Sequence, residues 1–369
     1  MVNEAFWKGK KVFLTGHTGF KGSWMSLWLV RMGAHVTGYA LAPATNPSLY
    51  ELAGLEEVMD SHIADINDRK KLSEVLCNAD PDIVIHMAAQ PYVGASYVDP
   101  VWNFQTNLMG TVNLLEAIRD AVRNGSDIRA VVNVTTDKCY ENKEWIWGYR
   151  ENEPLGGKDP YSASKACSEI ITSSYRSSFF SSKDKGAKPV AVATARAGNV
   201  IGGGDWSADR LIPQCLDALL NNHSITLRRP SAVRPWQHVL EPLGGYLILA
   251  EKLYEHGEAY AQSWNFGPDY QDCRTVGSVV KELLEIWEGY ARVEVYPETL
   301  FQESDLLMLD CSKAKTLLGW KPLWNLNEAL EQIVDWTQAH QNKEDMREVT
   351  GQQIQQYMKE MKLRGNKNG

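Results

Sequence analysis

A glycine-spaced loop near residue 20 constrains the fold more than any other feature of the chain. The loop, "TGHTGFKG" (15–22), follows the apolar run "KVFL" and precedes the helical pattern "SWMSLWLVRMG" (23–33). Gly16, Gly19 and Gly22 have the GxxGxxG spacing, a variant of the dinucleotide-binding fingerprint. Such a loop requires a tight turn, close approach of the backbone to a pyrophosphate, and a helix amino terminus that faces negative charge. The context therefore favours a dinucleotide site over an ordinary strand–helix turn.

The remaining side chains of this loop leave alternatives open. Phe20 is expected to share the dinucleotide contact, whereas His17 and Lys21 either add positive charge near phosphate or are solvated loop residues. An NAD enzyme usually carries Asp or Glu about 20 residues further on to hold the ribose hydroxyls. This chain has "YAL" (39–41) there, and no arginine marks a 2′-phosphate pocket. The residues alone therefore do not separate NAD from NADP.

A second candidate cofactor contact lies in "ADI" (64–66). Asp65 and Ile66 are expected at the adenine edge of the dinucleotide. The alternative role for Asp65 is a helix cap, since aspartate is favoured at that position.

Short apolar runs alternate with longer helical patterns through the first half of the chain. The runs include "KVFLTG", "AHVTGYAL", "DIVIHMAA", "AVVNVTT" and "PVAVATARAGNV". Apolar strands that alternate with helices predict a parallel sheet covered on both faces. The expected fold class is α/β, a doubly wound, Rossmann-type parallel sheet with ligands at the carboxyl ends of its strands and a smaller carboxyl-terminal substrate lobe.

After residue 200 this alternation gives way to loops rich in Gly, Pro and Arg. We expect residues 1–200 plus about 236–268 to form the dinucleotide-binding domain. Residues 201–235 and 269–345 are expected to form the smaller lobe. Residues 346–369 are expected to be a polar, weakly helical tail that ends in the disordered stretch "RGNKNG".

Composition argues against several classes of protein. The 369 residues include 38 Lys and Arg against 46 Asp and Glu, a net charge of −8 that disfavours a nucleic-acid surface. The six cysteines show no CxxC pair, so we expect no metal site. No apolar run reaches the ~18 residues of a membrane helix. A strand rather than a signal peptide opens the chain, and the expected location is the reduced cytoplasm.

The stretch "DPYSASK" (159–165) predicts a helix that carries a reactive pair. Asp159 is a capping carboxylate, and Pro160 suits the first helical position. Tyr161 and Lys165 are four residues apart, so they lie on one helix face. A free tyrosine has a pKa of ~10 and is a poor base at neutral pH, but a neighbouring ammonium and an oxidised nicotinamide would lower that pKa. The alternative, two solvent-facing residues, is weakened by the preceding glycine loop.

Further motifs follow along the chain, namely "HMAAQ" (86–90), "NLMGT" (107–111), "TTDK" (135–138), "RAGNVIGGGD" (196–205), "RPWQHV" (234–239) and "LDCSKAKTLLGW" (309–320). With the glycine loop and the Tyr161–Lys165 pair, they resemble the extended short-chain dehydrogenase/reductases that act on nucleotide sugars, across roughly residues 9–335. The stretches "GHTGFKGSW", "DKCYENKEWIWGYREN" and "RPWQHVLEPLGGY" are most similar to 4,6-dehydratases of that family.

This resemblance implies NAD as the cofactor, a nucleotide sugar as the substrate, and a homo-oligomer, either a dimer or a tetramer. The helices predicted at 103–122 and 160–178 would pair across its twofold axis. Ala88 and Gln90 would lie on a loop that faces the cofactor, and Asn107 would support that loop.

On the substrate side, the resemblance implies that Asn199, Arg210 and Arg234 grip the diphosphate or the sugar. A planar guanidinium suits phosphate oxygens, which agrees with this assignment. Trp236 is one of several tryptophans in these loops that could present an aromatic face to a sugar. Most of these tryptophans should nevertheless be packing residues.

For a 4,6-dehydratase the resemblance implies a defined order of steps. Tyr161 takes the proton of the sugar's 4-hydroxyl while hydride leaves carbon 4 for the nicotinamide. The ketone acidifies carbon 5, a base removes the proton there, and an acid protonates the departing 6-hydroxyl. Hydride then returns to carbon 6, so the cofactor ends as it began. Thr136 would hydrogen-bond the 4-oxygen or the tyrosine, and Asp137 would be the acid.

One position departs from the family pattern. Related dehydratases carry a glutamate after the aspartate as the carbon-5 base, whereas this chain has Lys138. A lysine is a base only if its pKa falls well below ~10.4. Lys138 is therefore either that base, the interpretation we favour slightly, or a residue that holds Asp137 in place.

Rival functions share the scaffold. Another nucleotide-sugar 4,6-dehydratase, a 4-epimerase or a dehydrogenase that releases its reduced cofactor would begin with the same oxidation. An epimerase needs no acid at the 6-hydroxyl, so Asp137 argues against it. A non-catalytic cofactor-binding protein has no reason to keep the set Thr136, Asp137, Tyr161 and Lys165.

Overall fold

The computed structural model describes residues 1–181, 189–296 and 305–366 of the chain. The strands in these ranges are β1 (Lys11–Thr15), β2 (His35–Ala40), β3 (Asp60–Ile63), β4 (Ile83–His86), β5 (Ala130–Val134), β6 (Ala191–Ala197), β7 (Asn199–Ile201), β8 (Ile225–Leu227), β9 (Val233–His238), β10 (Ser263–Phe266), β11 (Cys273–Thr275) and β12 (Val293–Val295). The helices are α1 (Glu4–Trp7), α2 (Phe20–Arg31), α3 (Leu49–Leu52), α4 (Arg69–Ala79), α5 (Val93–Val98), α6 (Pro100–Phe104), α7 (Gly110–Arg123), α8 (Pro160–Ser178), α9 (Leu211–Asn221), α10 (Leu240–His256), α11 (Val276–Trp287), α12 (Leu326–Gln341) and α13 (Met346–Asn366).

Seven strands form one central sheet in the order β10–β6–β5–β4–β1–β2–β3. Every neighbouring pair in it is parallel. The strand order reverses between β1 and β4, where Thr15 lies opposite His86. This confirms the predicted doubly wound, Rossmann-type sheet. Ligands of such sheets bind beside that reversal, at the carboxyl ends of the strands.

Successive residues of the inner strands enter different cores. Val12 and Leu14 of β1 pack with residues of α2 and α10, such as Trp24 and Leu247. Phe13, between them, packs with residues of α4 and α7 on the other face. Burial on both faces explains why these strands read as continuous apolar runs rather than as alternating patterns.

A smaller lobe lies after β6 in the chain. Its three-stranded sheet has the order β11–β9–β7, and β8 pairs with β12. Apolar residues of α9, α11 and α12 form a separate core there. By contrast β10 joins the central sheet, and α10 packs on β5 and β6. These observations support the predicted division of the chain at about residues 200, 236 and 268, which stays a proposal.

The carboxyl-terminal segment differs from its prediction. It forms α13, which packs against α2 instead of extending as a weakly helical tail. Ile354 and Tyr357 are buried, and the Tyr357 hydroxyl donates to Glu241 Oε2 at 2.8 Å. The predicted disorder of "RGNKNG" is wrong for its first three residues, which belong to α13, and residues 367–369 lie outside the described residues. The few apolar residues of this polar helix share one face, which its composition hides.

Candidate active site

The glycine loop joins β1 to α2 at the reversal of the sheet. Gly16 has φ +77°, and a Cβ on it would lie 2.7 Å from the amide nitrogen of Ala88. A Cβ on Gly22 would overlap the carbonyl oxygen of Gly16. Gly19 is exposed and would meet only that carbonyl oxygen, at 3.5 Å. The fold itself therefore requires the first and third glycines, while the second leaves the loop open to a ligand.

The amino terminus of α2 suits a pyrophosphate. Gly19 is its N-cap residue, and no side chain among the described residues caps the helix. The first turn contains no acidic residue. Free backbone amides and the positive end of the helix dipole favour a bound anion. The residues present thus fit a dinucleotide cofactor.

His17 does not contribute charge to this loop. It is fully buried, its Nε2 lies 2.7 Å from Ser61 Oγ, and a Cβ on Gly38 would overlap its ring. Burial, with a smaller contribution from His62, lowers the pKa of His17 to about 4, so the ring is neutral. Both predicted alternatives, a cation near phosphate and a solvated side chain, are wrong for His17. Its role is to pack the loop against β2.

Lys21 is partly buried in the first turn of α2. Desolvation and the charges of Arg210 and Lys165 lower the pKa of Lys21 to about 7, while Asp137 acts in the opposite direction. Both alternatives for Lys21, positive charge near phosphate and a solvated loop residue, stay predictions. Phe20 is partly buried beside it, 5.9 Å from the Arg210 guanidinium.

Thr15 and His86 join the ends of β1 and β4. Thr15 Oγ1 lies 2.7 Å from His86 Nδ1 and accepts hydrogen bonds from the amides of Met87 and Ala88, both at 3.1 Å. Burial lowers the pKa of His86 to about 3, so the ring is neutral. Sequence reasoning missed this pair. The available signal was their place as the last residues of the two strands that flank the reversal.

Hydrogen bonds from Asn107, in the helical segment Gln105–Met109 before α7, fix the loop after β4 and connect it to α8. Asn107 Oδ1 accepts from the Gln90 amide at 2.8 Å, and Asn107 Nδ2 donates to the Gln90 carbonyl at 3.0 Å. Asn107 Nδ2 also donates to Ser164 Oγ at 2.9 Å. The Gln90 side chain closes on the backbone of Tyr92 instead of projecting from the loop. Asn107 thus supports the loop, and Gln90 shapes it.

Asp65 and Ile66 follow β3. Asp65 is exposed, and its Oδ1 accepts from the Asn67 amide at 2.8 Å. The cap of α4 is Asp68, which accepts from the Lys71 amide, so the alternative of Asp65 as a helix cap is wrong. The Ile66 side chain is buried, and a Cβ on Gly110 would lie 2.7 Å from it. Contact of these residues with adenine stays a prediction.

Helix α8 begins as its sequence predicts. Asp159 accepts from the Ser162 amide at 2.9 Å, and Pro160 occupies the first turn. Tyr161 and Lys165 are both buried on this helix. Their burial, rather than a solvent-facing arrangement, places a phenol and an ammonium where neighbouring charges act strongly on both.

The electrostatics of the pair differ from the expectation. Burial raises the pKa of Tyr161 to about 12, against the opposing effects of a hydrogen bond with Thr136 and the charge of Arg210. Lys165 Nζ donates to the Val134 carbonyl at 3.3 Å. Burial lowers the pKa of Lys165 to about 8, and Glu169 opposes that shift. Among the charges that favour the phenolate is thus that of Arg210, and the predicted effect of Lys165 and the nicotinamide stays a prediction.

A short 3₁₀ turn, Asp137–Cys139, follows β5. Thr136 Oγ1 donates to Asp137 Oδ1 at 3.1 Å, and the Thr136 hydroxyl opposes the effect of burial on the pKa of the Tyr161 phenol. Asp137 is buried, and its Oδ2 has no hydrogen-bond partner among the described residues. Lys138 is half-buried in the same turn. The turn therefore brings a hydroxyl, a carboxyl and an amine to the carboxyl end of β5, beside the tyrosine.

The predicted substrate residues take different positions. Arg210 forms a 2.8 Å ion pair with Asp205, and its guanidinium lies 5.9 Å from the ring of Tyr92. Arg234 is buried in β9, where its Nη1 donates to the Val233 carbonyl at 2.9 Å. Asn199 of β7 is half-buried, opposite position 236 of β9. The predicted contacts of Asn199, Arg210 and Arg234 with the diphosphate or the sugar stay predictions.

The substrate role predicted for Trp236 is wrong. Its ring is buried in the core of the smaller lobe, with Ile201 and Leu330. Its indole N–H donates to the Arg274 carbonyl at 3.0 Å. Helices α9, α11 and α12 form the core around this residue, which the sequence motif alone does not reveal.

The sequence matches the protein family described as GDP-mannose 4,6 dehydratase over residues 13–333. The chain belongs to this family. It is 50% identical to the CDP-glucose 4,6-dehydratase of Salmonella typhimurium, over 97% of this chain and 99% of the relative. Within the family, the stretches "GHTGFKGSW", "DKCYENKEWIWGYREN" and "RPWQHVLEPLGGY" indicate a resemblance to CDP-glucose 4,6-dehydratase in particular, and this relative confirms it.

Solved structures of the family's wider fold are similar as well. A UDP-glucose-4-epimerase from Stenotrophomonas maltophila, with bound NAD and formylated UDP-arabinopyranose, has a TM-score of 0.77 at 19% identity. The alignment covers 90% of this chain and 99% of that one. A UDP-glucuronic acid 4-epimerase from Bacillus cereus, in complex with UDP-glucuronic acid and NAD, has a TM-score of 0.76 at 21% identity, over 89% and 99%. At these identities the likeness establishes the fold.

Within residues 1–181, 189–296 and 305–366, no group of three or more His, Cys, Asp and Glu side chains is arranged to hold a metal ion. None of the described helices has the length and apolar character to cross a membrane.

Proposed function

We propose that this chain catalyses the NAD-dependent dehydration of CDP-D-glucose to CDP-4-keto-6-deoxy-D-glucose, with internal return of hydride, in the synthesis of deoxysugars for O-antigen-type polysaccharides. The observation that carries the proposal is the 50% identity to the Salmonella CDP-glucose 4,6-dehydratase, which extends over nearly the full length of both chains. The cluster of Thr136, Asp137 and Tyr161 at the carboxyl ends of the strands supports it.

NAD fits the glycine loop. Gly16, Gly19 and Gly22 and the amides of α2 would hold its pyrophosphate, beside the loop of Ala88 and Gln90. When bound, NAD supplies a hydride acceptor that also returns the hydride, so the overall reaction is redox neutral. The chain's own residues must therefore move the protons and hold the sugar.

Tyr161 accepts the proton of the 4-hydroxyl, and the Thr136 hydroxyl, at the start of the turn after β5, favours the phenolate against the effect of burial. The Arg210 charge favours the phenolate, which opposes the effect of burial on the phenol. Asp137, with a buried oxygen that has no partner among the described residues, protonates the departing 6-hydroxyl. Lys138 is proposed to remove the carbon-5 proton, and its alternative role is to hold Asp137 in place. If Lys138→Ala left solvent deuterium exchange at carbon 5 undiminished, that role for Lys138 would be excluded.

The test offers CDP-, dTDP-, GDP- and UDP-hexoses with NAD and follows the 4-keto-6-deoxy product. We expect the fastest turnover with CDP-D-glucose and no steady-state change in nicotinamide absorbance. No product from any of the four substrates would contradict the dehydratase proposal, and net accumulation of reduced cofactor would favour a dehydrogenase. Faster turnover of another nucleotide would change the substrate but keep the reaction.

The chain also presents a surface suited to self-association. Apolar side chains are exposed on α5, α6, the turn after α6, and α8: Val98, Val101, Trp102, Met109 and Ile170. Exposed apolar patches of this kind mark protein contacts. We propose that these helices pair in a homo-oligomer, which light scattering of the purified protein would measure. The six cysteines are free of disulfides, which supports the cytoplasm as its compartment.

A further inference from the structure

A buried ion pair lies behind the candidate active site. Glu169 of α8 and Arg196 of β6 have side chains that are each 2% exposed. Arg196 Nη2 donates to Glu169 Oε2 at 2.8 Å, and Arg196 Nε donates to Glu169 Oε1 at 2.9 Å. This bidentate geometry is the strongest form of a carboxylate–guanidinium contact. Glu169 lies one helical turn beyond Lys165, so the pair adjoins a catalytic candidate.

The pair holds both ends of the turn that carries Asp137. Before the turn, Thr135 Oγ1 donates to Glu169 Oε1 at 2.5 Å. After the turn, Arg196 Nη1 donates to the Tyr140 hydroxyl at 2.7 Å. One contact precedes Thr136 and the other follows Cys139, so the ion pair fixes the turn from either side.

Tyr140 extends this connection to two more parts of the molecule. Its hydroxyl donates to Asn265 Oδ1 at 2.7 Å, in β10. Its ring stacks on Tyr149 at 5.1 Å between centroids. Arg196 itself is followed two residues later by Gly198, where a Cβ would lie 3.1 Å from Asp137 Oδ2. The residue between β6 and β7 therefore lies beside the candidate acid.

Each charge of the pair favours ionisation of the other. Burial opposes ionisation of Glu169, yet Arg196 outweighs it and holds the pKa of the carboxyl below its usual range. Burial likewise opposes the charge of Arg196, and Glu169 outweighs it and raises the pKa of the guanidinium. Lys165 is the next cation along the helix, and Glu169 opposes the lowering of the Lys165 pKa that burial causes.

We propose that Glu169 and Arg196 are positioning residues of the dehydration: they fix the turn of Asp137 and Lys138 against α8 and β6, and the Glu169 carboxylate, one helical turn from Lys165, stabilises the charge of that ammonium. This inference rests on the proposed function. Both residues act through Thr135, Tyr140 and Lys165, so they are positioning residues rather than catalytic ones.

Several other charged or titratable groups face the pair from the elements packed around it. From α8 they are Lys165 and Arg176; from the turn after β5 and the residue that follows it, Cys139 and Tyr140; from the loop before α8, Glu151; and from the segment after residue 305, Lys313. Burial lowers the pKa of Lys165, and the charge of Glu169 on the same helix opposes that effect. Removing the charge of Glu169 should therefore lower the pKa of Lys165.

The principal test is Glu169→Gln, which keeps the side-chain shape and removes the charge. We expect kcat on CDP-D-glucose to fall ~10- to 100-fold, as for a small misplacement of catalytic groups, with KM changed less than about threefold. Because the Lys165 ammonium loses its carboxylate, the alkaline limb of the kcat–pH profile should move to lower pH by roughly half a unit or more. A lower kcat with an unmoved alkaline limb would overturn the electrostatic role, and a wild-type kcat would overturn the proposal entirely.

Glu251→Gln is the matched control. Glu251 is also a buried carboxylate, and its Oε1 accepts from the Asn3 amide at 2.8 Å and from Trp7 Nε1 at 2.7 Å. It lies in α10 and contacts the amino-terminal residues, so its substitution should lower Tm without moving the pH profile. The same shift of the alkaline limb in both variants would overturn the proposal, because it would reflect destabilisation alone.

Tyr140→Phe keeps the proposal testable if Glu169→Gln does not fold, since it removes one oxygen and keeps the ring stack. We expect kcat to fall ~3- to 10-fold at nearly constant KM, and a kcat equal to the wild type would overturn the positioning role of the turn contact. Wild-type activity separates the two claims. If the wild type forms no product, the proposed function fails; if it is active and the variants behave as wild type, the positioning proposal alone fails.

Discussion

Two loops at the same edge of the sheet are built by different means. The loop after β1 takes its shape from backbone requirements at Gly16 and Gly22, within eight residues of sequence. The turn after β5 takes its shape from side chains that reach it from α8, β6 and β10. The first loop is thus suited to hold a ligand by its amides, and the second to place acids and bases. Substitutions in the loop after β1 should therefore affect cofactor binding, whereas substitutions around the turn after β5 should affect the chemical steps.

Tyr161→Phe should have the largest effect, because it removes the proton acceptor that lies beside the turn after β5. We expect kcat to fall ~10³-fold, within the ~10²- to 10⁴-fold range of general acid–base catalysis. NAD affinity should change little, since the glycine loop is untouched. Product formation and cofactor titration measure the two quantities. The control is Tyr175→Phe on the same helix, which packs against Phe179 at 5.1 Å and should keep wild-type activity.

Gly22→Ala instead disturbs the loop after β1, whose shape depends on its glycines. The added Cβ overlaps the Gly16 carbonyl oxygen, so we expect a loss of ~1–3 kcal/mol of unfolding free energy, as for an overpacked core. The shift of the loop should weaken NAD by more than about tenfold, equivalent to ~1.4 kcal/mol. Denaturant unfolding and cofactor titration measure both effects. An unchanged NAD affinity would show that the loop is not the cofactor site.

The pH dependence of kcat tests the charge on Lys165. Burial lowers the pKa of Lys165 to about 8, so the protonated form is lost as the pH rises through that value. We expect kcat to fall ~10-fold for each further pH unit on the alkaline side. Lys165→Arg keeps a charge at all these pH values and should remove that limb, at lower overall activity. An alkaline limb near pH 8 that persists in Lys165→Arg would assign it to another group.

Gly19→Ala should have the smallest effect and sharpen the comparison most. The Cβ would meet only the Gly16 carbonyl oxygen, at 3.5 Å, and the φ of −77° suits alanine. Tm should therefore equal the wild-type value, while a methyl group at the open mouth of the loop raises the Kd for NAD severalfold. A lowered Tm would show that the fold, rather than the cofactor, requires this glycine.

Local signals predicted much of the molecule. The glycine loop, the Asp159–Pro160 helix start and the parallel sheet each depend on residues close in sequence or on the repeat of apolar runs. His17 and Trp236 were placed wrongly because strand register and loop packing, not local pattern, bury their side chains. Glu169 and Arg196 were missed for the same reason, since they are 27 residues apart in sequence and meet only in the folded sheet.

The most direct measurement follows the hydride itself. CDP-D-glucose carrying deuterium at carbon 4 is incubated with the protein and NAD, and the product is analysed by mass spectrometry and NMR. If the reaction returns the hydride within one active site, the 4-keto-6-deoxy product will carry the deuterium at carbon 6. Product with no deuterium at carbon 6, or deuterium accumulated on released cofactor, would contradict the account.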